Sequence, residues 1–232
     1  REIVKDKSNT TYKTYAMKKY GKKYSEAVKD IDLKKSYSLT EAISLVKKTS
    51  PVKFDATIEV HMKLGIDLKK PEQNVRSTVA LPKGTGKTLK ILAFVGDKDE
   101  KAAKSAGADH VGLENFVTQI EKGWLDFDIA IATPETMPKI AKIAKILGTK
   151  GLMPNPKVGT VTSDVAKTIG EFKKGKVEFR ADALGGIHVG VGKVSFTDQD
   201  LKDNILALYR ALNLIKPTTL KGVYIKSFHL SS

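Results

Sequence analysis

Only a few groups in this 232-residue chain have types and spacings that invite a chemical reading. Gly84-Thr85-Gly86-Lys87-Thr88 offers the glycines, lysine and hydroxyl of a phosphate-cradling loop. Such a loop needs a glycine where Leu81 stands and must open a helix, whereas an apolar strand is expected from Leu89. Asp126 and Asp128 are the tightest carboxylate pair, spaced to point the same way from a strand. No nucleophile or histidine is spaced to work with them, so they read as solvated strand-edge charges. His61, His110, His188 and His229 are scattered without metal-ligand spacing. The absence of cysteine removes thiol chemistry, zinc knuckles and disulfides. Trp124, the sole tryptophan, reads as a core anchor within Trp124-Leu125-Asp126-Phe127. No catalytic group, metal site or cofactor site is therefore expected.

What remains is charge and an aromatic. Lysine and arginine number 41 against 26 acidic residues, a formal net charge of +15. Such a field attracts polyanions, nucleic acid foremost and anionic membrane surfaces second. The best apolar run, Ile91 to Val95, is far short of the ~20 residues a membrane helix needs. Lys53-Phe54-Asp55 sets a cation, an aromatic and a carboxylate at the start of an alternating strand. Lysine can neutralise phosphate and Phe54 can pack on a sugar or base, although its apolar phase favours the core. Lys173, Lys174 and Lys176, followed by Phe179-Arg180-Ala181-Asp182, form a second basic stretch.

The elements that must position these residues follow from periodicity. Residues 1–22 are rich in lysine and threonine with little to bury, and read as a solvated basic arm, either an RNA-bound tail or a transit-peptide remnant. Ser38-Leu39-Thr40-Glu41 is a capping box, and Leu39, Ala42, Ile43 and Val46 mark one face of the helix it opens. From Phe54 to Leu64 apolar and polar residues alternate, as in a strand covered on one side, with a second strand near Val75 to Leu81 expected beside it.

Beyond Pro82 the character changes. Apolar strands at Leu89–Val95 and Phe127–Ala132, with a short strand at Asp109–Gly112, alternate with helices at Asp99–Ala106 and Asn115–Lys122. A further helix is expected to start at Thr133-Pro134 and stop at Gly148. One more carries Val165, Ile169 and Phe172 and ends at Gly175. The alternation implies a parallel sheet covered on both faces. From Lys176 the first character returns, with strands at Lys176–Ala181 and Ile187–Val194 and a helix over Asp198–Ile215. A last strand, Gly222–Leu230, slips phase between Ile225 and Phe228 as at a bulge. The expected fold class is thus α/β and α+β in two domains. A split α+β domain (residues 23–84 and 176–232) is interrupted by an α/β insert (residues 85–175), with Gly84 and Gly175 as joints. That these are ordinary turn glycines is equally open.

The stretch Gly151-Leu152-Met153-Pro154-Asn155-Pro156-Lys157-Val158-Gly159-Thr160-Val161-Thr162 is a stiff loop whose wording resembles the signature of the ribosomal protein L-one family. Further shared words include Lys53-Phe54-Asp55, Leu81-Pro82-Lys83-Gly84-Thr85-Gly86-Lys87, Gly107-Ala108-Asp109 and Gly175-Lys176-Val177-Glu178-Phe179-Arg180. The resemblance, closest to the bacterial and organellar branch, implies that the insert is Rossmann-like. It also implies a structural protein of the large ribosomal subunit, not an enzyme, that grips rRNA and forms the mobile stalk at the tRNA exit site. Its implied partners are large-subunit rRNA, exit-site tRNA, whose deacylated form it helps release, and its own messenger, whose translation it represses. No membrane is among them. It would be a monomer off the ribosome, and its place the cytoplasmic ribosome, or else that of a plastid or mitochondrion.

Carried onto this chain, the rRNA contacts fall at Lys53, Phe54, Thr57, Glu59, Arg180, Asp182 and Ser227, with hinges at Gly84 and Gly175. Two departures stand out. Leu147-Gly148-Thr149-Lys150 replaces the family's Leu-Gly-Pro-Arg, and a Thr-Met-Gly-Pro-like rRNA-touching segment is expected after Ser232. The rival readings are a nucleotide-dependent enzyme built on the insert and a free RNA-binding regulator.

Overall fold

The computed structural model describes residues 21, 28–32, 35–96 and 98–232; the arm expected over residues 1–22 lies outside them apart from Gly21. The capping box forms as written: Ser38 Oγ accepts the Glu41 N–H while the Glu41 carboxylate accepts the Ser38 N–H, opening α1 (Leu39–Thr49). β1 (Thr57–Leu64) buries Ile58, Val60, Met62 and Leu64 and turns Thr57, Glu59, His61 and Lys63 the other way. It begins later than the alternation suggests, because Asp55 is occupied elsewhere, as shown below.

β1 is the centre of an antiparallel sheet of order β7-β1-β8, with β7 at Gly186–Lys193 and β8 at Ile225–Ser231. The slip foreseen in the last strand is real: Lys63 pairs with Ser227 but Leu64 with Ile225, leaving Lys226 as the extra residue. The inner face of this sheet packs on α7 (Asp198–Leu214), whose Leu201, Ile205, Leu208 and Leu212 are buried as one stripe. β2 (Arg76–Ala80) does not return beside β1. It pairs with β6 (Lys176–Arg180) in a separate two-stranded ribbon, from Arg76 opposite Arg180 to Ala80 opposite Lys176. Val79 of β2 and Leu81 just after it still reach the same core, which is why periodicity could not tell the two pairings apart.

A second sheet is parallel, order β4-β3-β5, with β3 at Ile91–Phe94, β4 at His110–Val111 and β5 at Ile129–Ala132. Ile91 and Ala93 of β3 pack against Val165, Ile169 and Phe172 of α6 (Val165–Lys173). Leu92 and Phe94 pack the opposite way, against Ile120, Ile140, Ile143 and Leu147. Every residue of β3 is therefore buried, as a strand covered on both faces must be. The short α2 (Glu100–Ser105) and α3 (Glu114–Glu121) complete the covering layers.

The helix expected at Thr133-Pro134 begins instead at Met137, because Thr133 to Thr136 form a turn. The buried Thr136 hydroxyl binds the Phe94 carbonyl at 2.9 Å, and Pro138 takes the first helical turn. The segment runs as α4 (Met137–Ile140), a 3-10 turn (Ala141–Ile143) and α5 (Ala144–Lys150). Gly148 does not stop it; Gly151, at φ 73°, supplies the left-handed residue that does. The proline-rich loop then folds on itself. The Asn155 N–H donates to Thr160 Oγ1 at 2.7 Å and its carboxamide oxygen accepts the Lys157 N–H at 2.8 Å. Val161 thereby bridges Ala132 in parallel, extending the sheet beside β5.

Candidate nucleic-acid interface

The outer face of the β7-β1-β8 sheet is polar and uncovered. Register fixes its occupants: Thr57 opposite Lys193, Glu59 opposite Ser231, His61 between His188 and His229, and Lys63 opposite Ser227. Thr57, Glu59 and Ser227 are thus brought onto one face, spanning ~20 Å along β1. Lys193 donates to Thr57 Oγ1 at 2.9 Å, and the Lys63 ammonium to the Leu184 carbonyl.

At the Thr57 end, Lys53 and Phe54 precede the strand. Phe54 is 71% exposed, so it is not the core aromatic its phase favours. The cause is Asp55, whose carboxylate accepts both the Ser195 hydroxyl at 2.7 Å and the Ser195 N–H at 3.0 Å. These two bonds, hydroxyl first, hold the Asp55 carboxyl below the usual carboxylate range. The clasp takes residues 53–55 off the strand and directs the Phe54 ring outward.

At the other end, Asp182 sits in the turn between β6 and β7. One of its oxygens accepts the N–H groups of Gly186 (2.7 Å) and Leu184 (2.8 Å), and together they depress its pKa. A Cβ on Gly186 would meet the Asp182 carboxylate at 2.8 Å, so the turn depends on that glycine. Its other oxygen is 3.4 Å from His188 Nε2, which ties the turn to the sheet face. Arg180, at the end of β6, is exposed. Across the ribbon Arg76 is taken by Glu178 at 2.6 Å, and among the described residues Arg180 has no ion-pair partner.

The structure thus places Thr57, Glu59 and Ser227 on the sheet face, Lys53 and Phe54 at one end of it, and Asp182 with Arg180 at the other. The histidine row and Ser231 escaped a linear reading, because their strands are far apart in sequence. Only His61 carried a signal, as the polar-phase residue between Glu59 and Lys63.

The other candidate chemistries dissolve. Asp126 and Asp128 precede β5 rather than lying on it, and each meets a lysine at 2.6 Å: Lys90 for Asp126, Lys87 for Asp128. Although burial pushes the Asp128 carboxyl up, the Lys87 ammonium and the Lys90 N–H hold it low on balance. Pro82 to Thr88 line an open cleft of about 520 Å³ with Lys173 and Phe196, and no helix follows the glycines. Lys173 and Lys176 of the second basic stretch are engaged by Asp109 (3.9 Å) and Glu171 (2.9 Å). Among the described residues no group of three or more histidine, aspartate or glutamate side chains could hold a metal ion. No described helix is long and apolar enough to cross a membrane.

Comparison with known proteins decides the family. Residues 46–232 match the sequence profile of the Ribosomal protein L1p/L10e family. The chain belongs to that family. A relative from Chlamydia pneumoniae, described as large ribosomal subunit protein uL1, is 51% identical over 216 residues, covering 93% of each chain. Membership in the L1p/L10e family makes this a structural protein of the large ribosomal subunit and not an enzyme, and rRNA binding is general for the family. Its place is the ribosome.

Proposed function

We propose that the uncovered face of the β7-β1-β8 sheet, flanked by Lys53 and Phe54 at one end and by Asp182 and Arg180 at the other, grips a folded segment of large-subunit rRNA. The carrying observation is the exposure of Phe54, a large ring held in solvent by the Asp55–Ser195 clasp at the edge of a polar sheet. Such a ring can stack on a base or sugar, while Lys53 and Arg180 reach phosphates. Thr57, Glu59 and Ser227 supply hydrogen-bonding groups between these ends.

The chain divides, on this reading, into a split rRNA-binding domain (residues 23–84 and 176–232) and an inserted Rossmann-like domain (residues 85–175). Two observations support it. One core draws on residues before Pro82 and after Gly175, while the other two draw on residues between them. The two crossings also touch, at Gly84 and Gly175. With both joints at glycine, the inserted domain can swing against the anchored one, forming the mobile stalk at the exit site and helping deacylated tRNA leave. The same sheet face can take a similarly folded segment of the protein's own messenger and repress its translation.

Filter binding of the intact protein to the rRNA stalk segment, titrated with salt, tests the reading. Lysine–phosphate contacts release counterions, so affinity is expected to fall by orders of magnitude over a ~4-fold rise in salt. A flat response contradicts it.

A further inference from the structure

Three of the protein's histidines lie in one row across the proposed RNA face, with His61 on β1 between His188 on β7 and His229 on β8. Nδ1 of His61 and Nδ1 of His188 are 2.7 Å apart. That contact needs one N–H and one bare nitrogen, so the two rings share at most three protons while it lasts. Their surroundings assign the roles. The Asp182 carboxylate, kept ionised by the Gly186 and Leu184 N–H groups, can only accept, so in the neutral pair His188 carries its one proton on Nε2 and accepts at Nδ1. His61 therefore donates from Nδ1, and its Nε2 accepts the Ser231 hydroxyl at 2.8 Å.

One ring position is left for a proton: His61 Nε2. Glu59 stands 3.8 Å from it, and Ser231 can reverse its hydroxyl to accept. A proton entering there charges the pair without separating it. A second would have to enter between the rings and part them. The other charges facing the pair are few. On β1, Lys63 is turned to the Leu184 carbonyl; on β8, His229 stands opposite His61 and Lys226 lies beside Gly65; on β7, Lys193 is turned to Thr57.

We infer that the His61–His188 pair is a proton-gated phosphate contact in the middle of this face. An RNA phosphate arriving over β1 draws one proton onto His61 Nε2, and the pair then presents a single positive charge between Glu59 and Lys63. Binding and proton uptake are linked, so RNA affinity rises as pH falls through the histidine range. This rests on the reading that the sheet face binds RNA.

The test is the affinity of the intact protein for the rRNA stalk segment at fixed salt, at about pH 7.5 and about pH 5.5. It compares the unaltered protein with the double variant H61Q/H188Q and with K53A/R180A. Glutamine retains size and hydrogen bonding but cannot gain charge. The unaltered protein is expected to bind several-fold tighter at the lower pH, and H61Q/H188Q to bind alike at both. A double variant that keeps the full pH response overturns the inference. If K53A/R180A binds as tightly as the unaltered protein, the RNA-face reading beneath it fails instead. Imidazole-nitrogen NMR of the free protein gives an independent readout: one proton shared between the two Nδ1 atoms is expected. Two rings with no proton shared between their Nδ1 atoms overturn the pair.

Discussion

A Cβ built on Gly175 would stand 2.5 Å from the Cα of Gly84, closer than side-chain carbons approach a neighbouring backbone. The Leu81 N–H donates to the Gly175 carbonyl at 3.0 Å, so the outgoing and returning strands touch where they cross. The two glycines are needed for different reasons. Gly84 has φ 69° and nothing nearer than 3.7 Å, so alanine there meets only backbone strain, about 1 kcal/mol. Gly175, at φ 108°, meets strain and backbone collision together, about 3 kcal/mol or more. Urea unfolding of Gly84→Ala and Gly175→Ala is expected to show this order; equal losses would contradict it. Proline, with φ near −65°, is incompatible with Gly84.

Asn204 fixes the outgoing crossing. It is fully buried on α7, where its carboxamide accepts the Lys83 N–H at 3.0 Å and donates to the carbonyls of Gly84 (2.9 Å) and Val191 (2.7 Å). Asn204→Leu keeps the volume but strips partners from buried backbone groups. A loss of about 3 kcal/mol is expected by chemical denaturation, and a neutral outcome would mean that water replaces the carboxamide.

Phe54 and Arg180 are the cleanest probes of the proposed RNA face, because neither contributes to a core. Phe54→Ala is expected to leave the melting temperature in place and weaken rRNA binding by ~1–3 kcal/mol, the range for a stacked base. Arg180→Ala is expected to weaken it by a similar ~1–3 kcal/mol, the range for a charge-assisted hydrogen bond. Paired melting and filter-binding measurements separate the two effects. Unchanged affinity in either folded variant removes that residue from the face.

The Asp55 clasp carries a pH dependence of known sign. Its carboxyl is lowered in the folded chain by the Ser195 bonds, so its stabilisation is complete above the ordinary aspartate range and disappears as pH falls through the depressed value. Acid titration followed by Phe54 ring-proton NMR is expected to show the 53–55 segment loosening in that window, and Asp55→Asn, which has no carboxyl to protonate, to loosen the segment at every pH and abolish the acid step. An Asp55→Asn protein with the same acid profile would assign the change to another carboxylate.

Much of this was legible in order along the chain. The Ser38 cap, the alternation in β1, the α7 stripe and the β8 slip are local patterns that local physics enforces. Features that depend on distant partners were not. β2 presents the same apolar residues to the core whether it pairs with β1 or β6. Phe54 has core phase, yet a carboxylate next to it bonds a serine far along the chain and turns the ring out. Thr136 rather than Thr133 marks the start of its helix because a buried hydroxyl finds the end of β3. The histidine row exists only once β7 and β8 flank β1.

The most direct test replaces residues 85–174 with a short flexible linker and measures the affinity of the product, beside that of the isolated insert, for the rRNA stalk segment. The joints touch, and the sheet face, Phe54, Arg180 and Ser227 all remain in the shortened chain. It is expected to fold and to retain most of the intact protein's affinity, with the insert binding weakly. Strong binding by the insert and none by a folded, shortened chain would contradict the account.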